Sequence, residues 1–186
     1  MRTTIKIVAG ALACGALLGV GVQVSSAERD ASRIKRGEHL TLTSGCIDCH
    51  APMKMGPSGP ETDLSRGLIG HPEGLKMPPA PKLPEGPWVW IGSGTTTAFA
   101  GPWGVSYAAN LTPDPETGIG KWREQDFVAA IRNGKHLGVG RPIMPPMPWP
   151  AYRRMSEEEL RAIYAYLMSQ APVKNRVPDY QPPQPR

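Results

Sequence analysis

Cysteine is scarce in this chain, with only Cys14, Cys46 and Cys49 in 186 residues. A disulfide between Cys46 and Cys49 would close a very tight loop and gain little. No alternating βαβ pattern surrounds the pair, so the setting of a thioredoxin-like redox dithiol is missing. Closely spaced further ligands are missing too. His39, His71 and His136 stand alone, which leaves half a zinc site without its other half. Charge is modest: 21 basic against 16 acidic residues, a net of +5. The Lys and Arg residues are scattered, so the balance is too mild to argue for nucleic acid and reads as a solvated surface.

Long apolar sequence is confined to the N-terminus. Arg2 and Lys6 precede an uncharged run from Ile7 to Val22, and Ser25-Ser26-Ala27 offers small residues for cleavage. Residues 1–27 therefore read as a secretory signal peptide. An uncleaved anchor is the alternative, and membrane contact is expected only in that case. The run sits near the short end of the ~17–25 residues a spanning helix needs, and its glycines weaken it further. A lipoprotein reading at Cys14 is weakened by the preceding Ala11-Leu12-Ala13. Residues 1–27 carry two basic side chains and no acidic one, so their removal takes the net charge from +5 to +3 and takes Cys14 with it.

What remains of the cysteines is the run Cys46-Ile47-Asp48-Cys49-His50. Two thiols at this spacing can each add across a haem vinyl group, and the histidine that follows can reach the iron. The spacing reads as covalent attachment of one haem c. Such attachment takes place outside the bacterial inner membrane, so the signal peptide and the motif agree on a periplasmic protein. Glycine (21) and proline (22) approach a quarter of the chain, near the range where disorder is the default. A large apolar macrocycle would supply much of the core that so few regular elements cannot.

Periodicity predicts three helices: about 31–44, with Ile34, Leu40 and Leu42 as its apolar positions; 122–132, with Phe127, Ala130 and Ile131 inward; and one capped by Ser156 and Glu159 with the stripe Leu160, Ile163, Tyr164, Leu167, ended by Pro172. Between 51 and 120 no helical period persists. There, 77–87 is expected to be extended and polyproline-like, and Trp88 to Ile91 to form a short strand or line the haem. The domains expected are 1–27 signal, 28–172 haem domain and 173–186 an extended Pro-rich tail.

A haem iron held by one histidine has a second axial position, which methionine can fill. Met147 lies in Arg141-Pro142-Ile143-Met144-Pro145-Pro146-Met147-Pro148-Trp149-Pro150, a loop stiffened by proline so that a thioether is presented at low entropic cost. Met144 is the runner-up, and Trp149 is expected to shield the site from water. Cys46 to His50, Met147-Pro148-Trp149 and Tyr164-Ala165-Tyr166-Leu167 resemble a class I (mitochondrial-type) cytochrome c domain. Asn110-Leu111-Thr112-Pro113-Asp114, Thr117 to Trp122 and Pro146 to Tyr152 are similar, more narrowly, to cytochrome subunits of bacterial alcohol, gluconate and related periplasmic dehydrogenases. The resemblance covers about residues 31–178. It implies a mainly α class I fold, a few helices around a covalent haem with a long Pro/Gly-rich insert, and axial ligands His50 and Met147. The chain departs from those subunits in two ways: it has one C-x-x-C-H, and Arg123 stands where Thr or Ser commonly caps the middle helix.

The function expected from this reading is not enzymatic. It is a monohaem carrier of single electrons, fed by a dehydrogenase or quinol-oxidising complex and emptied by an oxidase or another cytochrome. Ile47, Pro52, Met147 and Trp149 would form its contact patch, and Lys54, Arg153 and Arg154 its rim. The alternative is a fixed cytochrome subunit of a dehydrogenase complex, docked through the 51–121 insert and the tail. A haem enzyme or gas sensor with an open sixth position, served by His71, His136 or Arg141, is the remaining reading.

Overall fold

The computed structural model describes residues 25–83 and 85–183. Cys14 and the apolar run of the expected signal segment lie outside the described residues. Among those described, no helix is long and apolar enough to cross a membrane.

Helix α1 spans Ser26–Thr43, beginning earlier than its apolar pattern suggests. Its start is set by a capping box, in which Ser25 Oγ accepts from Glu28 N and Glu28 Oε2 accepts from Ser25 N. A one-turn helix α2 follows at Cys46–His50. Helix α3 spans Glu124–Asn133, and α4 is a short turn at Trp149–Tyr152. Helix α5 spans Glu157–Ser169, opened by the Ser156–Glu159 capping box. The cap missing at Arg123 is supplied from within α3. Asp126 Oδ2 accepts from Arg123 N at 3.0 Å, and its carboxylate also pairs with the Arg123 guanidinium.

The three longer helices share one core. Phe127 and Ile131 of α3 meet Leu160, Ile163 and Leu167 of α5, with Leu68 and Ile119 arriving from loops. The predicted stripes are buried as read, except that Tyr164 is half-buried and donates its hydroxyl to Trp122 O at 2.7 Å. Helix α1 crosses α5 at Gly37. A Cβ at Gly37 would fall 2.5 Å from the Ala162 carbonyl carbon and 2.9 Å from Tyr166 Cβ, so only glycine permits this approach.

The insert is more ordered than its composition suggests. Strands β1 (Met53–Gly56) and β2 (Gly59–Thr62) form an antiparallel hairpin. Strands β3 (Ile91–Gly92), β4 (Ala98–Gly101) and β5 (Gly104–Tyr107) form an antiparallel sheet in that order. The expected strand at Trp88 to Ile91 is thus confined to its last residue. Trp88 is 73% exposed and Trp90 45%, so neither lines an interior. The tail beyond α5 is extended but not free. Gln181 pairs with Val105 of β5 through both backbone bonds, and Tyr180 donates its hydroxyl to Trp103 O.

Candidate haem-attachment site

The site is built on α2. Gly45, in a left-handed conformation, turns the chain out of α1 and into Cys46–His50. Cys46 and Cys49 are both free thiols and both half-buried. Burial raises both, pushing Cys46 up to about 11, so each is a protonated thiol near neutral pH. Among the described residues, no group of three or more His, Cys, Asp or Glu side chains could hold a bare metal ion.

His50 is 8% exposed. Its Nδ1 lies 2.8 Å from Ala109 O. A carbonyl can only accept, so Nδ1 carries the proton and Nε2 keeps its lone pair. Burial lowers the histidine's proton affinity against the opposing effect of that bond, which keeps the ring neutral. A neutral imidazole, fixed at one nitrogen with the other free, is the form that binds a metal.

The backbone around His50 is tightly registered. Gly70 N donates to His50 O at 2.8 Å, His71 N to Ala108 O at 2.9 Å, and Leu111 N to Leu68 O at 2.8 Å. Segments 68–71 and 108–111 therefore run together beside the histidine. Gly70 (φ +70°) is required there, because a Cβ would stand 2.5 Å from both the carbonyl carbon and the oxygen of Ala109. Thr96 ties the other side, donating from Oγ1 to Asp48 O at 2.5 Å.

Met147, Cys46, Ile47, Leu40, Leu111 and Tyr152 are half-buried and pack on the same apolar core. Met144 is half-buried in the same loop but does not belong to that cluster. Trp149 packs elsewhere, with Gly134 against its ring and the Arg153 guanidinium 5.6 Å over it. Tyr152 escaped the sequence reading. Its hydroxyl donates to Ser44 O at 2.6 Å, joining α4 to the end of α1, and burial beside the two cysteines pushes its phenol up to about 12. Only its place five residues past Met147 hinted at this.

The two thiols, the neutral histidine and a ring of half-buried apolar side chains fit a covalently attached haem. Cys46 and Cys49 would tether it, His50 would meet its iron, and the apolar ring would cover its faces. Other expected residues lie apart. Pro52 is buried and cannot form part of a contact patch. Lys54 is engaged with Asp63 at 3.4 Å and Glu61 at 3.7 Å. His71 is fully buried with both ring nitrogens occupied, Nδ1 by Thr97 Oγ1 and Nε2 by Leu75 O, which rules it out as a distal group. His39 is exposed, and His136 is exposed edge-on to Trp122. Asn110 of the glycosylation-like triplet is 3% exposed and bonded within the fold.

A family model for cytochrome c matches residues 34–171. The chain is 44% identical over 77 residues to part of the nicotinate dehydrogenase of Pseudomonas putida, covering 41% of this chain and 6% of that protein. It is 30% identical over 155 residues to the cytochrome c subunit of the quinone alcohol dehydrogenase of Gluconobacter oxydans, covering 82% of this chain and 25% of that one. It is also 30% identical over 168 residues to the cytochrome c subunit of gluconate 2-dehydrogenase of Pantoea cypripedii, covering 90% and 28%. The chain thus spans 6–28% of the length of these relatives.

Proposed function

The chain belongs to the cytochrome c family, and from that premise we propose that it is the electron-accepting cytochrome of a periplasmic dehydrogenase. Its haem c is tethered through Cys46 and Cys49 and ligated by His50 and Met147. When bound, that group supplies a one-electron centre. The protein's own work is to hold and tune it. Cys46 and Cys49 prevent loss of the group. Ala109 O fixes the His50 ring and strengthens its donation to the iron. Met147 presents a thioether from the proline-braced loop, with Met144 as the runner-up. The apolar core excludes water from the faces, and Ile47 borders the tether where a partner would approach.

The observation that carries this reading is the anchored, neutral His50 beside two free thiols. The relatives' names favour a dehydrogenase subunit over the free carrier that a single C-x-x-C-H suggests. The export segment at 1–27 belongs to the same proposal. Purification of the tagged full-length protein from its native host tests it. Recovery of a larger dehydrogenase subunit at fixed ratio, reducing the haem on addition of its substrate, is expected. A haem protein that purifies alone and accepts electrons equally from unrelated dehydrogenases would contradict the subunit reading and leave the free carrier.

A further inference from the structure

We propose that Asn175, on the C-terminal strap, is a positioning residue for His50; the inference rests on the reading that His50 ligates the haem iron. Asn175 is distant in sequence from every motif, yet it is 4% exposed. Its Nδ2 donates to Ile69 O at 2.8 Å and to His71 O at 2.9 Å, and its Oδ1 accepts from Glu73 N at 2.8 Å. The two carbonyls belong to the residues on either side of Gly70. Gly70 in turn touches His50 in two ways. Its N–H donates to His50 O, and its bare Cα lets the Ala109 carbonyl approach, the same carbonyl that holds His50 Nδ1. One planar amide therefore grips, from behind, the turn that fixes both the main chain and the ring of the histidine.

The strap carrying Asn175 is itself fastened. Asn175 N donates to Thr117 Oγ1 at 3.0 Å, Arg176 N to Glu73 Oε2 at 3.1 Å, and Val173 N to Thr112 Oγ1 at 3.1 Å. An amide with two donors and one acceptor engaged holds three backbone groups in a geometry that no shorter or apolar side chain reproduces. Without it, two buried carbonyls lose their donors and the 69–73 turn relaxes. The His50–Ala109 bond then lengthens, the imidazole becomes a weaker donor, and the ferric state loses stabilisation. The reduction potential rises.

The test uses the full-length haem-loaded protein and its variants Asn175→Ala and Asn175→Asp, the latter keeping the shape and the acceptor. Tyr180→Phe, which frees the far end of the same strap from Trp103 O, is the control. The readouts are the midpoint potential and the exchange of the His50 Nδ1 proton followed by NMR. Both Asn175 variants should shift the redox equilibrium severalfold toward the ferrous form, tenfold being about 59 mV for one electron, and should speed exchange. Tyr180→Phe should lower stability and leave both readouts in place. Unchanged potential and exchange in the Asn175 variants, or equal changes in Tyr180→Phe, would overturn the proposal. So would failure of both variants to accumulate with haem, which would assign the amide to folding alone. Failure of the underlying reading is seen separately, as a His50→Ala protein that keeps the wild-type haem spectrum.

Discussion

Replacement of Gly37 by alanine sets two effects of opposite sign against each other. In an exposed helix the change stabilises, by up to about 1 kcal/mol, because alanine loses less backbone entropy than glycine. At this position the new Cβ would stand 2.5 Å from the Ala162 carbonyl carbon and 2.9 Å from Tyr166 Cβ. The first obstacle is helix backbone, which cannot swing aside as a side-chain tip can. The α1–α5 crossing must open, and with it the packing of Leu160, Ile163 and Leu167. Overpacking of this kind costs about 1–3 kcal/mol, and a backbone clash belongs at the upper end. The net expectation is a loss of about 2 kcal/mol, or roughly 4–8 °C in melting temperature for a protein of this size. Urea denaturation of the haem-loaded ferric protein, followed by helical circular dichroism, measures it as a lower midpoint at unchanged slope. A Gly37→Ala protein as stable as wild type, or more stable, would refute the crossing as the reason for glycine.

Two further outcomes follow from the same contacts. The Arg123 side chain and N–H hold the Asp126 carboxyl down at about 2, below the ~3.9 of an unfolded chain. That cap therefore contributes in full above about pH 4 and is lost as pH falls toward 2. Asp126→Asn should lose less stability than wild type across that window in an acid titration of helix content, and parallel curves would contradict the assignment. Replacement of Cys46 and Cys49 by Ser should leave a chain that fails to accumulate, because the macrocycle that completes the core is no longer retained. A stable apo-protein with native helix signal would show that the core closes without it.

The parts of this molecule legible in its sequence are those whose causes are local. Helix α5 is announced by Ser156, Glu159 and an i, i+3, i+7 stripe, and α2 by the spacing of Cys46, Cys49 and His50. Residues 51–120 were opaque for a physical reason. Strands β1 to β5 are two to four residues long, too short for alternation to register, and they are specified by pairing across the chain. The apolar run Trp88-Val89-Trp90 has the composition of a buried strand but lies exposed beside one. The start of α1 was missed because the capping box at Ser25 and Glu28 overlaps the expected cleavage site. Tyr152 and Asn175 act through single long-range bonds to backbone carbonyls, which no sequence period encodes. The tail looked free because prolines fill it, whereas the residues that fasten it, Asn175, Tyr180 and Gln181, are isolated polar side chains.

The central claim is that Cys46, Cys49, His50 and Met147 together hold one haem iron. The absorption spectrum of the purified ferric protein tests it most directly, through the weak far-red band that sulfur ligation of the iron gives. The account predicts that band in wild type, its loss in Met147→Ala and its retention in Met144→Ala. The reverse pattern, or a wild-type spectrum without the band, contradicts it.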